Sequence, residues 1–168
     1  LDLIDEDLLG LPVGECEFAQ PFRARCQLAM RGRIEEIDAQ HQELFRRAGL
    51  FIDSLHRQSR QEIGILLSFL RLNAVTHFGA EEAWMRAASY PATAEHEKQH
   101  DGFIKDILAL SDQHEKKSGQ GIEPARVSGW LEKWLKNHVT STDTDFARHL
   151  KATGVPPPPP EPEEPPLP

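Results

Sequence analysis

From Ile34 onward apolar residues return every three or four positions: Ile34, Ile37, Leu44, Phe45, Ala48 and Ile52, with His41 on the same stripe. That spacing predicts one face of a helix. A second run holds Ile65, Leu66, Phe69, Leu70 and Ala74 and continues through Phe78 to Met85. Pro91 interrupts it, and Thr93 is placed to cap a third run carrying His96, His100, Phe103, Ile104, Ile107 and Leu108. Lys117-Ser118-Gly119-Gln120-Gly121 is turn chemistry. Pro124 suits the first turn of a fourth helix through Val127, Leu131, Trp134, Leu135, His138 and Phe146. Four helices joined by short loops predict an all-α, up-down-up-down four-helix bundle over residues 32–153.

The flanks read differently. Within residues 1–31, Pro12, Gly14 and Pro21 break short apolar-acidic pieces such as Leu8-Leu9, and no helical period is sustained, so this part is an N-terminal arm. After Gly154, Val155 leads into Pro156 to Pro160 and a Pro/Glu mixture that builds neither helix nor sheet. Residues 154–168 are therefore an extended tail or linker, with a stiff spacer as the simplest role.

Composition narrows the function. A chain of 168 residues needs only one packed core. Its net charge of -8, from 27 acidic against 19 basic residues, disfavours a surface that neutralises nucleic acid phosphates. No apolar run approaches the roughly 20 residues of a membrane span and no secretory leader is visible, so the expected location is the cytoplasm. Cys16 and Cys26 are too few for a disulfide framework and read as free thiols. The start at Leu1 favours a piece of a longer protein.

The histidines carry the chemistry. His77 and Glu81 are four apart, as are His96 and His100, which puts each pair on one helical face. His138 and Asp143 are five apart, about 140° around an ideal helix, which is poorer geometry unless the carboxylate reaches sideways. In an antiparallel pair, residues equidistant from the loop lie level. Ser59 lies midway between His41 and His77, Tyr90-Pro91 between Glu81 and His100, and Gly119 between His100 and His138. All three hairpins thus put their candidates at one depth, which favours one metal site over scattered core histidines. His56, His114 and His149 lie about 16 to 22 Å along their helices from the nearest candidate histidine. They are expected at the surface. Five imidazoles and two carboxylates exceed one tetrahedral zinc and lack the thiolates that favour soft metals, so two six-coordinate iron ions fit better.

These residues resemble a known family. Ile37-Asp38-Ala39-Gln40-His41 with Leu44-Phe45, His77-Phe78 with Glu81-Glu82 and Met85, His96-Glu97-Lys98-Gln99-His100 with Phe103, and Trp134-Leu135-Lys136-Asn137-His138 with Asp143 are similar to the four helix signatures of bacterial hemerythrins. The match runs from about Gly32 to Thr153 in the family's order. The resemblance implies that His96, His100 and His138 hold one iron, that His41 and His77 hold the other, and that Glu81 and Asp143 bridge them. An oxo or hydroxo bridge completes the pair. It also accounts for the five-residue spacing, and favours Asp143 over Asp145, which lies about 10 Å from His138 along the helix. Dioxygen is then the implied ligand, bound at the open position of the two-histidine iron. Leu44, Phe78, Met85, Trp134 and Leu135 match the apolar shell of that pocket, and each is equally explained as core. The chain departs from the family where a tryptophan usually precedes the first signature, since Leu28-Ala29-Met30-Arg31-Gly32 stands here.

Other functions compete. His96-Glu97-x-x-His100 also fits a zinc peptidase with Glu97 as general base, but that enzyme needs a third ligand and a strand edge for its peptide, and no strand pattern is present. Glu97 is expected to face solvent. A ferritin-like oxidase needs Glu-x-x-His twice, and only Glu97 with His100 supplies it. The resemblance therefore implies a binding protein and not an enzyme, either an oxygen carrier or store, or a sensing module that signals to an attached domain.

Overall fold

The computed structural model describes residues 35–116 and 122–157. Residues 1–34, with Cys16, Cys26 and the Leu28–Gly32 departure, lie outside the described residues, as do the Lys117–Gly121 turn and the tail beyond Pro157. The helices are α1 Glu35–Arg57, α2 Arg60–Ala87, α3 Thr93–Lys116, α4 Pro124–Asn137, a π-helical turn His138–Thr142, and α5 Asp143–Thr153. Asn137 and Asp143, which flank the π turn, both keep right-handed helical backbone, so the last three segments form one continuous rod. The bundle therefore has four rods, with no strand among the described residues. α2 packs against α1 and α3, and α1 packs against α4. Phe103 of α3 closes the ring by stacking on Trp130 at 5.5 Å and lying 4.3 Å from Trp134.

The turns carry the strain that tight reversals need. Gln58 and Ser89 stand at φ 55° and 51°, and Gly154 ends α5 at φ 68° while its N–H bonds the Leu150 carbonyl at 2.8 Å. Glycine, having no Cβ, takes that last conformation with the least backbone strain. Pro124 begins α4 as expected. Thr93 differs from expectation: its hydroxyl donates to the Tyr90 carbonyl at 2.7 Å, bracing the turn behind it and capping no helix N–H.

Two apolar clusters fill the interior. The larger holds Leu44, Phe51, Leu70, Phe103, Ile107 and Leu131 among others, and the smaller holds Trp84, Met85, Ala88, Phe146 and Leu150. Each leucine, isoleucine, phenylalanine or methionine side chain among them, fully buried, stabilises the fold by about 1.5–3 kcal/mol. Leu108 corrects the sequence reading, because it is 45% exposed. It follows Ile107 by about 100° and so leaves the stripe.

The distant histidines also differ from a uniform surface assignment. His56 is exposed. His114 is buried at 8%, with its imidazole against Gly64, whose missing side chain makes the room. His149 is half-buried, donates from Nε2 to the Ala88 carbonyl at 2.9 Å, and packs on Tyr90.

By length and composition alone, α2 is long and apolar enough to cross a membrane. Its buried face instead carries His77 and Glu81 beside Leu66 and Leu70, as the core helix of a bundle does. The chain leaves the bundle along this helix, where the Trp84 indole N–H donates to the Val155 carbonyl at 3.3 Å.

Candidate metal centre

All four rods send side chains to one layer: His41 from α1, His77 and Glu81 from α2, His96 and His100 from α3, and His138 and Asp143 from the last rod. Each is 4% exposed or less. The four-residue spacings work as expected, one turn apart on one face. The five-residue spacing is met by the backbone. Asp143 N–H bonds the His138 carbonyl, the fifth residue back, so the π turn absorbs one extra residue. Asp143 Oδ1 consequently lies 3.1 Å from His138 Nε2.

The imidazoles fall into two groups. His96, His100 and His138 have ring centres 4.5 to 4.9 Å apart, while His41 and His77 pair at 4.7 Å. Each carboxylate lies between the groups. Asp143 approaches His41 at 3.0 Å on one oxygen and His96 at 3.2 Å on the other. Glu81 Oε2 approaches His77 at 3.7 Å, and His96 and His100 at 3.7 and 3.4 Å. One potential ligand atom from each of Glu81, His96, His100 and His138 lies within 4.8 Å of the others, and the same holds for His41, His77 and Glu81.

This donor set fits cations. Both oxygens of Glu81 are buried without a hydrogen bond, which is costly for a carboxylate unless a positive charge is near. Burial, with Asp143 and Glu82 beside it, pushes the Glu81 carboxyl well above its ordinary range. Burial also acts upward on Asp143, but the adjoining His138, with His41 and His96, holds it well below that range. Burial and the neighbouring His41 push His77 down to about 3, and burial with His138 and His96 lowers His100 as well. Neutral imidazoles keep the lone pairs that metals need. The Nε2 atoms of His96 and His100 meet that of His138 at 3.3 and 3.1 Å, a convergence of ring nitrogens toward one point.

Surrounding groups fix the rings. Gln99 Oε1 accepts from the Thr142 hydroxyl at 3.1 Å and faces His138 Nδ1 at 3.2 Å, which assigns the proton to Nδ1 and leaves Nε2 free for a metal. Phe78 stacks on His100 at 3.8 Å and Trp134 on His138 at 4.4 Å. The five apolar residues singled out in the sequence do not share one wall. Leu44, Phe78 and Leu135 lie in the larger cluster with Trp134 packed against it, whereas Met85 lies in the smaller one. Phe45, 6.4 Å from the His41 ring, is a neighbour that the stripe marked only as core.

Glu97 stands outside the cluster and bonds Arg86 at 2.6 Å. Asp145 is exposed and pairs with Arg148. Gln99 enters the sequence reading only inside a signature and Thr142 not at all, since a side chain that steadies a ligand from another rod follows no period along the chain.

Residues 33–150 match the family described as the hemerythrin HHE cation binding domain. The chain belongs to the hemerythrin family. Among its relatives, a bacteriohemerythrin of Stenotrophomonas maltophilia (strain R551-3) is 27% identical over 119 residues, covering 71% of this chain and 76% of that protein. Hemerythrin subunit 1 of Golfingia vulgaris is 30% identical over 110 residues, 66% of this chain and 78% of that one. The fold is shared with a crystal structure of a leucine-to-phenylalanine mutant, at TM-score 0.64 and 24% identity, covering 70% of this chain and 88% of the other. The seven histidine and carboxylate residues that the four rods bring to one layer all lie within the matched residues.

Proposed function

We propose that this hemerythrin domain holds two non-haem iron ions and binds dioxygen reversibly. The observation that carries the reading is the division of five imidazoles into three and two, with a buried carboxylate from each of two rods reaching both groups. His96, His100 and His138 would hold one ion, His41 and His77 the other, and Glu81 and Asp143 both. Iron, when bound, supplies the reversible redox chemistry that captures dioxygen. The chain's own residues orient the donors and exclude water. The group with two imidazoles has the fewer donors, so dioxygen is admitted on that side, under Leu44, one turn beyond His41. Between storage and sensing, one observation favours sensing by way of an attached domain: the exit segment is hydrogen-bonded to α2 three residues after Glu81.

The test is iron analysis with an optical spectrum of the reduced protein before and after air. Two iron ions per chain and an absorption that appears with air and fades on deoxygenation are expected. One zinc per chain with peptidase activity would overturn the reading.

Leu44→Ala is expected to speed oxidation of the reduced site while iron content stays near normal, because it opens the wall and removes no ligand. The truncation costs about 2–5 kcal/mol of stability. An unchanged oxidation rate in Leu44→Ala, together with a faster one in Trp134→Ala beside His138, would reverse the choice of side.

A further inference from the structure

The three imidazoles of the larger group are supported in three different ways. His138 Nδ1 faces the neutral amide of Gln99. His96 Nδ1 is buried without a hydrogen-bond partner. His100 Nδ1 faces a carboxylate, Glu82 Oε1, at 3.0 Å. Glu82 belongs to neither ligand group. It reaches from α2 to a ring on α3 and remains 24% exposed at the bundle surface. Arg86, one turn further along α2, lies 3.9 Å from the other Glu82 oxygen and 2.6 Å from Glu97 of α3. A cation thus braces the carboxylate from outside.

We propose that Glu82 is a positioning residue for His100, accepting a hydrogen bond from its Nδ1–H so that the Nε2 lone pair faces the metal site and the ring becomes the strongest imidazole donor there. The electronic part rests on the di-iron reading above. Phe78 already fixes the plane of the ring, being stacked on it within 4°. What Phe78 leaves open is which nitrogen carries the proton, and a carboxylate at Nδ1 decides that. A hydrogen-bonded carboxylate also raises the basicity of the ligating nitrogen, as second partners of metal-bound histidines do. An ion held by such a donor favours its oxidised state. Glu82 would therefore lower the reduction potential of the three-histidine half, with no contact to the metal.

Two substitutions separate the hydrogen bond from the charge. Glu82→Ala removes both, and Glu82→Gln keeps an acceptor oxygen for Nδ1–H. The measurements are iron(II) affinity, by competition of the full chain against a chelator, and the reduction potential of the loaded protein. Circular dichroism checks that each variant folds. Glu82→Ala should bind iron(II) about 10- to 100-fold more weakly. Glu82→Gln should recover most of that affinity while its potential stays above that of the parent. Glu97→Gln, which alters the same braced surface without touching a ligand, should change neither. Parental affinity and potential in Glu82→Ala would overturn the inference. So would a Glu82→Gln variant that binds as weakly as Glu82→Ala, because charge and not the hydrogen bond would then be at work. The parent keeps the two proposals apart: failure to bind two iron ions defeats the proposed function, whereas two bound ions with no effect of Glu82→Ala defeats only this one.

Discussion

Stripping the metal with a chelator is expected to lower the melting temperature by about 10 °C or more. The layer gathers five imidazoles and two carboxylates in a space that excludes water, and Glu81 has no hydrogen bond there. With the ions gone, the layer loses the positive charge that its carboxylates face, and converging ring nitrogens are left to one another. Mass action sets the scale. A ligand that binds only the folded chain stabilises it by about 4 kcal/mol at a thousand times its dissociation constant. One kcal/mol corresponds to about 2–8 °C in domains of roughly this size. Thermal melts of iron-loaded and chelated protein, followed by circular dichroism, provide the check. Coincident melts would mean that the seven residues hold no ion that matters to the fold.

Deleting Lys133 is expected to cost the chain its iron and several kcal/mol, whereas deleting Ser141 should leave both nearly intact. Both residues are exposed, so contacts alone predict little difference. The difference is rotational. Removing a residue from α4 turns everything before it by about 100° relative to His138. Leu131 and Val127, buried at 0% and 7%, would leave the core at about 1.5–3 kcal/mol each. The π turn already holds one residue more than an α-helix needs there. Removing Ser141 allows it to close as ordinary helix, with Asp143, Phe146 and Leu150 still on the buried stripe. Iron content and melting temperature of the two deletion variants decide the matter. Equal damage from both would show that the turn is not a simple one-residue excess.

The bundle was legible because its stripes are long and their loops carry plain turn residues. The depth of the site was legible too, since each hairpin places its histidines symmetrically about its loop. Other features required the packed chain. Met85 shares a face with His77 and Glu81, and periodicity gives the face but not the side of the ligand layer on which a residue falls. It lies on the side of Phe146 and Leu150, away from Leu44. The spacing of His138 and Asp143 announced a difficulty whose solution is a change of helix type, which side-chain identities do not encode. Glu82 was visible only as part of a signature, because its partner, His100, stands on another rod. His114 was assigned to the surface by its distance from the ligands, yet burial there depends on what faces it.

That contact between His114 and Gly64 bears on how the chain could be made sturdier. Replacing glycine by alanine inside a helix ordinarily stabilises it by about 0.5–1 kcal/mol, since glycine gives up more freedom on folding. At Gly79, Gly102 and Gly129 a new methyl group would meet nothing within 4 Å, so the rule applies unopposed. At Gly64 the methyl would lie 3.1 Å from His114 Nε2, tighter than ordinary contact. The gain there is offset by displacing a buried imidazole, so four glycines that look alike to a helix-propensity scale divide into three openings for improvement and one fitted seat.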